Sequence, residues 1–134
     1  MADLAFAEAF SRYGAILKNV QWSVCANAPD GSLVVSLWQH HFDPVKDGVI
    51  SCRGSFARWT GPGNVEFRAK VTDAFNANQI IKVVIVTTKQ INDVELGVDA
   101  SKLKKTFSIK PDWIGKVASL VGDNYEFTFT KRKA

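Results

Sequence analysis

Phe6, Phe10, Tyr13 and Leu17 recur at spacings of four, three and four, which sets them on one face of a helix. The pattern predicts an amphipathic helix over residues 4–17, with Asp3 as its N-cap and Gly14 weakening its last turn. From residue 20 the period drops to two. Residues 20–26 and 33–39 alternate as strands around Ala28-Pro29-Asp30-Gly31-Ser32, where Pro, Asp and Gly stand in turn order. This predicts a hairpin. Residues 43–63 read mostly as loop, punctuated by Asp43-Pro44, Asp47-Gly48 and Gly61-Pro62-Gly63, with a short strand at residues 49–52.

Asn64 is placed to cap a second helix over residues 64–78, whose apolar stripe is Phe67, Val71, Ala74 and Phe75. The run from Ile80 to Thr87 is β-branched and apolar on both faces, as a strand covered on both sides requires. Residues 88–105 are polar and irregular, with one helical turn expected around 101–105. Residues 106–110 look extended. A second hairpin follows, 113–121 and 125–131 around Gly122-Asp123-Asn124, with Tyr125, Phe127 and Phe129 on one face and Glu126, Thr128 and Thr130 on the other.

This order does not alternate in the βαβ manner. It predicts an α+β fold: a mainly antiparallel, strongly twisted sheet with two packed helices. The sheet becomes a partly closed barrel if the C-terminal hairpin pairs back to the first. At 134 residues the chain reads as a single domain, 1–134, ending in a short basic stretch, 131–134. The longest apolar run, Val83 to Val86, is far too short to cross a bilayer, and the first residues lack a signal-peptide pattern. The expectation is a cytoplasmic protein without a membrane partner. Cys25 and Cys52 then read as reduced, partly buried thiols. No CxxC or CxxH spacing occurs, so neither a zinc motif nor a redox motif is present, and no cofactor is expected.

Charge alters the picture in one region. Residues 1–100 carry nine Lys/Arg against ten Asp/Glu, whereas residues 101–134 carry eight against three, within a chain of net charge +4. Clustered cations release counterions when they meet phosphates; the same charges also simply keep a surface soluble. The candidate nucleic-acid contacts are Lys102, Lys104, Lys105, Lys131, Arg132 and Lys133, joined by Arg58 and Trp59. The last two stand in a glycine-rich loop, Ser55 to Gly63, where an aromatic beside Arg suits stacking on a base. An indole there equally suits a loop anchored to the core. Of the other tryptophans, Trp22 reads as core, while Trp38 and Trp113 are candidates for a protein-interaction surface or a homodimer.

His40-His41 follow Trp38 at the end of a strand. Neighbours on a strand point to opposite faces, so regular β geometry would keep the pair from chelating one metal. A third ligand from Asp43 or Asp47 would require the loop to fold back. One of the histidines can still move protons near neutral pH, so a hydrolytic enzyme using His40 or His41 is the third reading. Asp93-Val94-Glu95 is the nearest thing to a carboxylate pair, with no lysine following at strand spacing. Glu66 and Lys70 form an i,i+4 surface pair. No Gly-x-Ser-x-Gly is present, and Gly61-Pro62-Gly63 is a weak anion seat because its proline lacks a donor.

Residues 19–23 and 33–39, followed by the Arg58-Trp59 loop, resemble small uncharacterised bacterial and phage domains that accompany or are fused to HNH-type restriction nucleases. The similarity covers about the first half of the chain. This sequence has no HNH motif, so the resemblance implies a DNA-associated accessory role and no nuclease activity. Taken together, these features predict a small module that binds DNA or RNA without catalysis of its own, with a protein-interaction module as the alternative.

Overall fold

The computed structural model describes residues 5–19, 23–97 and 103–131. Its central element is β4, Ile81–Thr87, whose apolar residues leave both faces to be covered. Beside it in parallel runs β2, Leu33–Trp38, in register from Leu33↔Ile81 to Trp38↔Val86. The antiparallel strand β1, Cys25–Asn27, pairs with the outer side of β2. On the other side of β4 lie β5, Thr106–Ile109, and β6, Trp113–Val121; β7, Asn124–Lys131, and β3, Val49–Ser55, complete the order β1-β2-β4-β6-β7-β3. Only the β2–β4 pairing is parallel among these. The fold is α+β and mostly antiparallel, with β4 interior as its composition predicts. The sheet is not closed: the C-terminal hairpin pairs with β4 through β6 and with β3 through β7, and not with the first hairpin.

Three helices pack with the sheet where the sequence pattern predicts two. The first, α1, spans Phe6–Ser11 and stops short of the predicted residue 17. Gly14 has φ 80°, and Ala15 N–H reaches the Phe10 carbonyl while Gly14 N–H reaches Ser11, the hydrogen-bond pattern of a left-handed helix stop. α2, Pro62–Ala77, begins with Gly61 and Pro62, and Asn78 in the left-handed region ends it. The third helix, α3, is the short Ile91–Glu95, in a stretch that reads as irregular. Strand β3 runs to Ser55, beyond the expected residue 52. Residues 103–105 are not helical, and 101–102, like Trp22, lie outside the described residues.

The β4 ladder is interrupted on one side. Val84 faces Ile109, but Ile81 faces Gly115, so Lys82 and Val83 are opposed by residues 110–114. Pro111, which has no N–H to give, sits in this break. The Tyr13 hydroxyl fills it, donating to the Val83 carbonyl at 2.8 Å and accepting from the Lys110 N–H at 2.9 Å. The same side of the sheet carries α1, where Ala9 and Phe10 pack with Val34 and Val84, and Phe6 meets Phe107.

On the opposite side, α2 sets Phe67, Val71 and Ala74 against Leu33, Val35, Val83 and the β7 ring row Tyr125, Phe127 and Phe129. Two of these rings lie across cross-strand glycines: Tyr125 over Gly54 and Phe129 over Gly115, so closely that a Cβ at either glycine would overlap the ring. The outward residues of this half of the sheet, such as Lys116, Thr128 and Ser51, stay at least partly exposed. Cys25 and Cys52 are free thiols, both fully buried in this core. Cys25 is therefore more enclosed than the strand alternation suggests, because it faces α2.

Replacing Tyr13 by Phe keeps the ring and removes the hydroxyl, leaving the Val83 carbonyl and Lys110 N–H unpaired. Urea denaturation should show a loss of about 1–3 kcal/mol. A second expectation concerns alkali. Burial pushes Cys25, Cys52, Tyr13 and Tyr125 each up to about 12. The unfolded chain gives up these protons at lower pH than the folded one, so stability should fall progressively as pH rises above about 9. A urea midpoint that does not drop between about pH 8 and about pH 11 would contradict that accounting.

Candidate functional site

At the carboxyl end of β2 the chain does not continue as strand. Residues Gln39–His41 form a 3-10 turn, closed by Phe42 N–H on the Gln39 carbonyl. The turn frees both imidazoles from strand alternation. Their rings lie edge to face with centroids 4.4 Å apart, and both Nε2 atoms reach the same oxygen of Glu95, His40 at 3.0 Å and His41 at 2.9 Å. The three ligand-type atoms lie within 4.8 Å of one another. The expected third partners do not take part: Asp43 pairs with Arg53 at 2.6 Å, and Asp47 belongs to the turn before β3.

Glu95 arrives from α3, whose position is held by several bonds. Gln90 takes the Lys104 N–H on its side-chain oxygen at 2.8 Å and gives its amide to Asp93 at 3.2 Å. The Thr88 hydroxyl donates to the Lys104 carbonyl at 2.7 Å. From the opposite side, Arg58 Nη1 donates to the Val94 carbonyl at 3.1 Å. Gly97, at φ 79°, closes the helix end, and a Cβ there would lie 2.9 Å from the Arg58 carbonyl oxygen. Helix and loop therefore pack backbone to backbone.

The Arg58 loop is fixed in turn by Asn64. This residue does not cap α2; Gly61 holds the cap position. The buried Asn64 amide instead donates to the Phe56 carbonyl at 2.8 Å and the Trp59 carbonyl at 2.7 Å. Trp59 is partly buried, its ring 6.4 Å from that of Phe67. Arg58 is partly buried too and lies against the Tyr125 hydroxyl. Arg58 Nε and Trp59 Nε1 are both buried, with no hydrogen-bond partner among the described residues.

Electrostatics in the cluster follow from this placement. Burial is the largest influence on His41 and lowers its proton affinity, outweighing the hydrogen bond and charge of Glu95; His40 and Arg58 push in the same direction as burial. Partial burial works to raise Glu95, but its bonds to His40 and His41, helped by the charges of His41 and Arg58, together hold it below the usual carboxylate range. The cluster thus favours neutral His41 beside ionised Glu95 near neutral pH.

The other sequence candidates are distributed differently. Lys104 and Lys105 precede β5 at the carboxyl end of β4, where Thr106 faces Thr87. Lys131 ends β7 opposite Trp113, a partly buried ring packed on Phe42 and Phe129 under the Lys110 ammonium. Trp38 is partly buried beside His40. Lys102, Arg132 and Lys133 lie outside the described residues. Sequence reading misses the role of Glu95, although Asp93-Val94-Glu95 stands out as an acidic pair, because nothing local ties it to His40. No helix among the described residues is long and apolar enough to cross a membrane. Comparison with protein-family models, curated proteins and solved structures found no match to the chain.

Replacing Asn64 by Ala should cost about 1–3 kcal/mol, because two loop carbonyls are deprived of their donor in a largely buried place. Chemical denaturation of the variant measures this; a change within about 0.5 kcal/mol, as for an ordinary surface substitution, would show that the loop holds without the clamp.

Proposed function

We propose that this protein is a small nucleic-acid-associated binding module without catalytic activity of its own. One observation carries the reading: the bonds between residues 88–90 and Lys104 gather Lys89, Lys104 and Lys105 at the carboxyl end of β4. Lysines from one end of a rigid sheet meet a phosphate backbone at lower entropic cost than lysines on unconnected loops. The positive balance of residues 101–134 and the resemblance to HNH-associated domains support the same reading. Lys131 ends β7 opposite Trp113, close to Lys110 and two strands from β4, and is a second cationic element in this reading. Arg58 and Trp59 are partly buried, with Arg58 Nε and Trp59 Nε1 both enclosed, and in this reading they support the surface more than they touch the ligand.

The test is binding to single- and double-stranded DNA and RNA over a range of salt. With three or four phosphates neutralised, affinity for duplex DNA should fall about 40- to 150-fold between about 50 and about 200 mM salt. Lys104→Gln combined with Lys131→Gln should weaken binding and reduce the slope of log K against log salt by about 0.9 for each phosphate no longer neutralised. Absence of binding to any of these polymers at about 50 mM salt rejects the reading in favour of a protein-interaction module.

A further inference from the structure

We propose that His40, His41 and Glu95 form a binding site for a divalent transition-metal ion of the zinc class. The site is independent of nucleic-acid binding, and it rests on the convergence of three ligand-type atoms within 4.8 Å of one another. Two imidazoles from adjacent residues turn the same nitrogen, Nε2, toward one carboxylate oxygen that comes from a helix more than fifty residues away. Zinc accepts imidazole nitrogen and carboxylate oxygen at about 2.0–2.2 Å. In a tetrahedron with bonds of that length the donor atoms stand about 3.3–3.6 Å apart. The nitrogen–oxygen separations of 3.0 and 2.9 Å need an opening of about 0.3–0.7 Å to admit the ion, and the two Nε2 atoms, within 4.8 Å of each other, would settle to the same spacing around it.

The side chains of His40 and His41 are only 17% and 10% exposed, whereas Glu95 is 49% exposed. The protein therefore supplies two donors from the inner side and the third at the edge of the solvent, which reaches the remaining position. This is the arrangement of a site with an open coordination position, filled by water or by an anionic ligand. Two nitrogen donors with a single carboxylate select against Mg²⁺ and Ca²⁺, which take oxygen shells. The support for each donor is already in place: the 3-10 turn closes on Gln39, and Arg58 holds α3 through Val94. Arg58 opposes a second positive charge, but its guanidinium is held on the Val94 carbonyl and against the Tyr125 hydroxyl and takes no donor atom from the site.

The experiment uses the full chain stripped with a chelator, then titrated with Co²⁺ by visible spectroscopy and with Zn²⁺ by calorimetry. The expected result is one ion per chain, Co²⁺ bands of low coordination number that Zn²⁺ abolishes, and no comparable response to Mg²⁺. H40Q, H41Q and E95Q should each weaken Zn²⁺ binding by about tenfold or more, while D47N, in the turn before β3, should leave it unchanged. Circular dichroism establishes that each variant is folded; should a histidine variant unfold, E95Q decides, since Glu95 is the exposed donor. Absence of metal binding by the unaltered chain would show that the cluster is held by hydrogen bonds alone and would overturn the proposal. Binding that survives E95Q undiminished would place the ion elsewhere and overturn it equally.

Discussion

The inward placement of the Arg58 guanidinium connects the core of this protein to its most chemically loaded surface. Tyr125 can lie where it does only because Gly54 opposite it has no side chain. The Tyr125 hydroxyl then meets Arg58, Arg58 holds the Val94 carbonyl, and the next residue along is Glu95. A charged group drawn back from open water needs hydrogen-bond partners in fixed positions, and those partners are what fix the short helix α3. Without them, a helix of five residues would have little reason to form, since isolated helices of that length are not stable in water.

The same arrangement explains why chemistry gathers at the ends of strands. β2 and β4 run parallel and finish together, and the segments leaving them must diverge. One turns at Gln39–His41 and the other at residues 88–90 before α3. Two chain reversals side by side bring together side chains that regular sheet geometry would keep apart. The lysines of residues 104–105 join this end through the bond from Lys104 to Gln90, so these cations and the His40–His41–Glu95 cluster share a neighbourhood without sharing a motif.

Much of the fold is legible in the sequence where burial acts over short distances. The apolar stripe of α2, the doubly covered strand β4 and the alternation of Tyr125, Phe127 and Phe129 each reflect a local period matched to a single buried face or pair of faces. The parallel pairing of β2 with β4 is not legible, because register between strands separated by forty residues or more leaves no local signature. The site is hidden for a related reason. His40 and His41 look divergent if the strand is carried through them, and only the 3-10 turn reverses that. Asn64 looks like a cap because of its place before a helix, yet its amide serves the preceding loop. Cys25 looks partly exposed if one face of its strand is wet, whereas both faces of this part of the sheet are covered.

Tyr13 adds a consequence for the order in which the chain folds. Its hydroxyl ties residue 13 to residues 83 and 110, sequence separations of 70 and 97. Contacts of this kind close long loops, and their entropic cost falls once nearer contacts have formed. The segment that carries Tyr13 is thus a latch across the break in the β4 ladder. Amide hydrogen exchange at Lys110 would report that latch directly, because its N–H is shielded only while Tyr13 is in place.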